Sequence, residues 1–214
     1  MPVKHIFFDL DGTLVDSYPG ILFSFEVAMR EVIPDRKIPD FLRFVGPPVR
    51  EVFRLALTEN DPKILESLET SFRKNYDLFG YKKTKLYPCV FESLELLHKS
   101  GKICHILTNK PKNPTLKILE CLSLNPFFTE IFTPDSRQPS FTSKEEAALE
   151  AKRLLQLNPS DAIIVGDSKD DALAAKVCGF HFAAVTYGYG RVHKQSINPI
   201  HFIVRKFENM LKFI

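Results

Sequence analysis

Cysteine is sparse in this 214-residue chain: Cys89, Cys104, Cys121 and Cys178 stand singly, with no CxxC pair among them. That excludes the usual zinc-ligand spacings, and a chain of this length needs no disulfide framework to hold a core. Reduced thiols in a cytoplasmic protein are expected. The six histidines are dispersed and lack ligand spacing. No apolar stretch reaches the roughly 20 residues that span a bilayer. Met1-Pro2-Val3-Lys4 runs into a short apolar segment that meets Asp9 at once, too early for the apolar region and cleavage site of a secretory signal. Neither a signal peptide nor a membrane partner is expected. An excess of one charge is missing as well: 29 basic and 26 acidic residues leave a net +3, well mixed along the chain. A nucleic-acid binder presents a clustered basic stripe. The nearest run, Tyr81-Lys82-Lys83-Thr84-Lys85, reads as a solvated linker, so no nucleic-acid partner is expected. There is no internal repeat and no low-complexity segment. Gly188-Tyr189-Gly190 fails as a dinucleotide fingerprint, because no third glycine comes at His193.

What is present is an ordinary globular composition, 44% hydrophobic and 26% charged. Residues 3–8 are short, apolar and rich in strand formers, so they read as a buried strand. Asp9-Leu10-Asp11-Gly12-Thr13 ends it with turn chemistry. Helical spacing follows over residues 17–33. Gly46-Pro47-Pro48 breaks the chain, with Pro48 suited to the first turn of a helix through Leu57, and a further helix fits 62–78. Beyond Pro88 the pattern alternates. Helices are expected over 90–100, 114–124, 143–157, 170–178 and 206–213. Strands are expected over 103–107, 130–133, 162–165, 182–186 and 202–204. Ser143 and Glu146 have the spacing of a capping box, and Gly179 stands where a helix C-cap belongs. Strands alternating with helices imply βαβ units and a mainly parallel sheet. The expected fold is therefore α/β, a Rossmann-like core formed by residues 1–15 and 87–214. A helical domain, residues 16–86, is inserted after the first strand, with linkers near 14–17 and 80–88.

In such sheets ligands bind beyond the carboxyl ends of the strands. Asp9 and Asp11 follow the first strand, Thr108 and Asn109 follow strand 103–107, and Asp167 follows strand 162–165. Three acids, a hydroxyl and an amide thus reach one edge. Like charges repel and raise one another's pKa, and a divalent cation resolves the conflict. Mg²⁺ takes a few carboxylates, waters and a substrate phosphate; Asp9, Asp167 and the Asp11 carbonyl are its candidate ligands. With the phosphate's charge offset, the Asp9 carboxylate can act as nucleophile and form an aspartyl-phosphate. Asp11 would protonate the leaving oxygen and then activate water. Gly12 lets the backbone approach the phosphate, and Thr108 and Asn109 offer it hydrogen bonds. Lys144, at a helix start, is the candidate cation for the developing charge, with Lys110 and Lys112 as substitutes.

These residues carry a resemblance. Asp9-Leu10-Asp11-Gly12-Thr13-Leu14-Val15-Asp16-Ser17 resembles the signature of the haloacid dehalogenase superfamily of phosphatases. Thr108-Asn109-Lys110 is similar to its second motif, Lys144 to its third, and Gly166-Asp167-Ser168-Lys169-Asp170-Asp171 to its fourth. The resemblance implies Asp9 as nucleophile, Asp11 as acid/base, and Thr108 and Lys144 as phosphate ligands. It further implies Asp167 on Mg²⁺ and Asp171 supporting the metal or Lys144. At the third motif many relatives have Lys-Pro where this chain has Lys144-Glu145. The helical insertion resembles the cap of the phosphoglycolate phosphatase branch, as do Val45-Gly46-Pro47-Pro48-Val49-Arg50-Glu51 and Val185-Thr186-Tyr187-Gly188-Tyr189-Gly190.

The expected activity is hydrolysis of a small phosphorylated metabolite, with phosphoglycolate the first substrate to try. Nucleotides, sugar phosphates and pyrophosphate are alternatives. Arg50 is a candidate reader of a second anionic group, although residues 16–86 hold 12 basic and 11 acidic side chains and so no anion-seeking excess. Dehalogenation is disfavoured because Asp11 is what phosphoryl transfer needs. A non-catalytic binding protein on this fold is disfavoured by the intact acid set.

Overall fold

The structure is a computed structural model and describes residues 3–41, 48–190 and 202–212. In chain order its regular elements are β1 (His5–Phe8), β2 (Val15–Asp16), α1 (Tyr18–Val32), α2 (Val49–Leu57), α3 (Pro62–Leu78), β3 (Lys85–Leu86), α4 (Val90–Lys99), β4 (Ile103–Leu107), α5 (Lys112–Cys121), β5 (Phe128–Phe132), α6 (Lys144–Leu154), β6 (Ala162–Gly166), α7 (Lys169–Cys178), β7 (His181–Val185) and β8 (Phe202–Val204).

Two compact units result, one made of residues 1–16 and 85–214, the other of residues 17–84. In the first, six strands pair in the order β5-β4-β1-β6-β7-β8, every neighbouring pair parallel. The strand sequences explain this. Ile6, Phe7 and Phe8 in β1, and Ile163, Ile164 and Val165 in β6, are all buried. Such continuous apolar runs suit strands covered on both faces. One face packs on α6 and α7, which meet the sheet through Ala147, Ala148, Ala151, Ala172, Ala174 and Ala175 together with Phe7, Phe180 and Phe182. Alanines let the helix backbones approach closely, and the phenylalanines fill the remaining volume. The first unit also carries a short antiparallel ribbon in which Val15 faces Leu86 and Asp16 faces Lys85. The sequence reading had only linkers there. Two-residue strands are too short to show periodicity.

The second unit is helical. Its core is aromatic: Phe25 stacks on Phe41 at 4.4 Å between centroids and meets Phe53 edge-on at 4.8 Å and Phe72 at 4.6 Å. Each fully buried phenylalanine contributes roughly 1.5–3 kcal/mol of transfer free energy, which these helices require because lone helices of this length are marginal in water. Of the motif over residues 45–51, Val45, Gly46 and Pro47 lie outside the described residues, as does His193.

Several boundaries differ from expectation for local reasons. Helix α5 begins two residues before Pro114, which the first turn tolerates because its N–H would have no partner there. The last helix is a 3₁₀ segment, Phe207–Lys212. The capping box at α6 is half formed. Ser143 accepts from the Glu146 N–H at 3.2 Å, but the Glu146 carboxylate turns to the N–H and hydroxyl of Thr142 and to Arg137. A complete box closes instead at α7, between Ser168 and Asp171. Gly179 caps α7 in the left-handed conformation, as expected. Among the described residues no helix is long and apolar enough to cross a membrane.

Candidate active site

Strand order assembles the site. The three central strands β4, β1 and β6 end side by side, and two ladders continue one residue further: β1 on β6, where Asp9 N–H donates to Val165 O at 2.9 Å, and β4 on β5, where Thr108 N–H donates to Phe132 O at 3.0 Å. Asp9, Thr108 and Asp167 therefore stand on one sheet edge, all buried. Behind Asp9 the chain turns tightly around Leu10, whose carbonyl accepts from the N–H groups of Leu14 and Val15 at 3.0 and 3.1 Å.

Asp9, Asp167 and Asp171 form a cluster in which one oxygen of each lies within 4.8 Å of the others. Lys144, the first residue of α6, enters the cluster with its ammonium 2.7 Å from Asp9 Oδ1 and 2.6 Å from Asp171 Oδ1. Its side chain is 2% exposed. Asp171 is fixed from behind: its other oxygen, Oδ2, accepts from the Ser168 N–H at 2.9 Å and from the Ser168 hydroxyl. Asp167 Oδ2 accepts from the Gly190 N–H at 2.8 Å.

One buried ammonium faces three buried carboxylates. Burial pushes Asp9 up to about 8, with Lys144 working against that rise and Asp171 and Asp167 adding to it. Burial and the charge of Asp171 push Asp167 up to about 6, against the backbone N–H groups that it accepts from. For Lys144, burial alone would lower the pKa, but Asp171 and Asp9 outweigh it and the ammonium is kept charged. Asp9 and Lys144 thus pull in opposite senses. The 2.7 Å ion pair favours a charged lysine, while burial, more than the neighbouring acids, raises Asp9 and Asp167; once ionised, the three carboxylates carry more negative charge than this one lysine offsets. A divalent cation would cancel that excess, and close-set carboxylate oxygens are the donors that hard cations take. The residues present therefore fit a divalent cation.

Asp11 stands apart from this cluster. Lys110 holds both of its carboxylate oxygens, at 3.1 and 2.9 Å, with the lysine side chain 7% exposed. Lys112 uses its backbone N–H on Asp135. Thr108 is buried, and its hydroxyl accepts from the Lys110 N–H at 3.2 Å. The Asn109 amide donates to Asp170 Oδ2 at 3.0 Å, tying the loop after β4 to the start of α7. Arg50 belongs to the helical unit, where its guanidinium donates to the Pro62 carbonyl at 3.2 Å and lies 3.8 Å from Glu69.

Glycine 12, at φ +83°, serves the acids directly. A Cβ there would lie 2.3 Å from Asp167 Oδ2. The sequence reading singled out the loop after β7 only for its family resemblance and gave no role at the acids to Gly188 and Gly190, which also lie against Asp167. Two glycines beyond a strand end were the available signal of close backbone approach. It gave Ser168, quoted within the fourth motif, no role of its own, although Ser168-Lys169-Asp170-Asp171 has capping-box spacing.

The family model described as haloacid dehalogenase-like hydrolase matches residues 6–185. The phosphoglycolate phosphatase of Vibrio vulnificus is 30% identical, with 99% of this chain and 96% of that protein covered. The pyrophosphatase PpaX of Anoxybacillus flavithermus is 28% identical over 100% of this chain and 98% of its own length. A haloacid dehalogenase-like family hydrolase from Streptococcus pneumoniae, 29% identical, superposes with a TM-score of 0.86 over 99% of this chain and 98% of that one. With its motifs on one sheet edge and its family model spanning most of its length, this chain is an enzyme that belongs to the haloacid dehalogenase-like hydrolases.

Proposed function

We propose that the chain is a Mg²⁺-dependent phosphatase that hydrolyses a small phosphomonoester through an aspartyl-phosphate on Asp9. The observation that carries this reading is the Asp9 carboxylate, buried on the sheet edge, hydrogen-bonded to Lys144 and crowded by two further acids. An Asp9 oxygen attacks phosphorus, the bond to the leaving oxygen breaks, and Asp11 gives that oxygen a proton. Asp11 then takes a proton from water as the water attacks the same phosphorus. Inorganic phosphate leaves, and the Asp9 carboxylate is restored. Thr108 and Lys144 hold the equatorial oxygens; Asp9 and Asp167 would hold Mg²⁺, which offsets phosphate charge when bound. An incoming phosphate dianion competes for Lys110 and so frees Asp11 from its ion pair.

In this reading the helical unit acts as a cap that admits substrate and excludes water, and Arg50 is its candidate for reading a substrate carboxylate. Phosphoglycolate is the first substrate proposed, supported by relatives bearing that enzyme's name. Pyrophosphate is the second, supported by the pyrophosphatase relative. The deciding experiment measures phosphate release from both, and from nucleotide and sugar phosphates, with Mg²⁺ and with Asp9→Asn as the blank. Release confined to one compound names the substrate. Equal release by Asp9→Asn and the unaltered protein would overturn the proposal.

A further inference from the structure

The loop after β1 and the loop after β7 are fastened together at points that the proposed chemistry leaves unused. The Tyr187 hydroxyl donates to the Thr13 carbonyl at 2.9 Å, and the Tyr189 hydroxyl donates to Asp16 Oδ1. Tyr87, just beyond β3, packs on Tyr187 with ring centroids 4.7 Å apart. Between the two hydroxyl anchors the backbone lies flat on the acids: a Cβ on Gly188 would be 2.3 Å from both Asp167 Oδ2 and the Gly12 carbonyl. Gly190 then gives its N–H to Asp167 Oδ2 at 2.8 Å. The ring of Tyr189 also lies against Gly12, 3.1 Å from where a Cβ would stand there.

The Asp167 carboxylate is therefore held by the backbone of a short loop, and two tyrosine hydroxyls set where that loop lies. We propose that Tyr189, assisted by Tyr187, is a positioning residue for the divalent cation: its bond to Asp16 fixes the Gly190 N–H on Asp167 Oδ2 and so the direction in which Asp167 presents its remaining lone pairs. The inference rests on the reading of Asp9 and Asp167 as cation ligands. Groups that orient a metal's ligands from behind typically change metal affinity by about 10–100-fold when removed. Phenylalanine keeps the rings and their packing and removes only the hydroxyls.

The test is calorimetric titration of Mg²⁺ into the unaltered protein, Tyr189→Phe, Tyr187→Phe and the double variant, with Tyr81→Phe as the control outside this loop. The Mg²⁺ concentration giving half-maximal phosphate release is measured in parallel. The expected result is a Kd about 10-fold higher in Tyr189→Phe, higher again in the double variant and unchanged in Tyr81→Phe. Saturating Mg²⁺ is expected to restore kcat, with the KM for the phosphate substrate unmoved. Gly188→Ala, which keeps both hydroxyls but presses on Asp167, is expected to weaken Mg²⁺ in the same way. Normal Mg²⁺ affinity in both Tyr189→Phe and the double variant would overturn the inference, as would a loss of kcat that saturating Mg²⁺ leaves in place. Absence of Mg²⁺ binding by the unaltered protein would overturn the cation reading itself and the positioning role of Tyr189 with it.

Discussion

The ammonium of Lys144 lies 2.7 Å from Asp9 Oδ1 and, on its other side, 2.6 Å from Asp171 Oδ1. One lysine thus spans the ends of β1 and α7, two elements far apart in sequence. Because Asp171 is itself fixed by Ser168, the lysine joins a fixed carboxylate to Asp9.

Replacing Lys144 by methionine keeps the length of the side chain and removes its charge. Two buried carboxylates then lose their counter-ion, which costs about 3–5 kcal/mol in comparable buried pairs. Phosphate release should fall about 10²–10³-fold, the scale for removing one preorganised donor. Urea unfolding and steady-state kinetics check the two effects. A variant as stable and active as the unaltered protein would show that the pair is dispensable.

Asp9→Asn separates stability from function. Burial pushes the Asp9 pKa up to about 8, so near pH 7 the folded state works against an ionised Asp9 that the unfolded chain holds freely. The metal-free variant should therefore melt no lower than the unaltered protein, while turnover drops on the order of 10⁶-fold, as for removal of a nucleophile elsewhere. Scanning calorimetry in EDTA, paired with a phosphate assay, reads both quantities.

Gly12→Ala should fail for two reasons at once. Its φ of +83° costs a residue with a Cβ about 1–2 kcal/mol. The added carbon would also lie 2.3 Å from Asp167 Oδ2. A lower urea midpoint together with a raised Mg²⁺ requirement is expected; a change in stability alone would show that Asp167 moves aside without consequence.

In the middle of β4, His105 is fully buried against Phe7, with its Nε2 3.1 Å from His5 Nδ1. Burial, with a smaller contribution from His5, lowers its pKa to about 4. The unfolded chain takes up that proton near the ordinary value of 6.5. From about pH 6.5 downward the unfolded state binds more protons, so stability falls as pH falls and levels off below about 4. The full loss is about 3 kcal/mol. Urea midpoints between pH 4 and 7 should decline less steeply in His105→Gln. Parallel slopes for the two proteins would contradict this assignment.

Alternation of short apolar strands with helices was enough to expect the parallel sheet, because burial on both faces demands continuous runs such as Ile163-Ile164-Val165. Asp9, Asp11, Thr108 and Asp167 were legible because each follows a strand, and strand ends share an edge. Strand order was not legible, since pairing depends on contacts between distant segments. The same is true of what each charged group touches. Sequence placed Lys144 and Lys110 as candidate cations, but only the packing of α6 against α7 decided that Lys144 reaches Asp171 as well as Asp9, and only the pairing of β1 with β4 that Lys110 holds Asp11. The loop of Tyr187 to Gly190 was legible as part of the family resemblance, but its role was not, for a related reason. Its glycines and hydroxyls acquire a role only when β7, two places along the sheet from β1, carries them onto Asp167, Thr13 and Asp16. Local chemistry determined which residues could act, and tertiary packing determined their partners, because hydrogen bonds and ion pairs are set by distances that sequence separation does not encode.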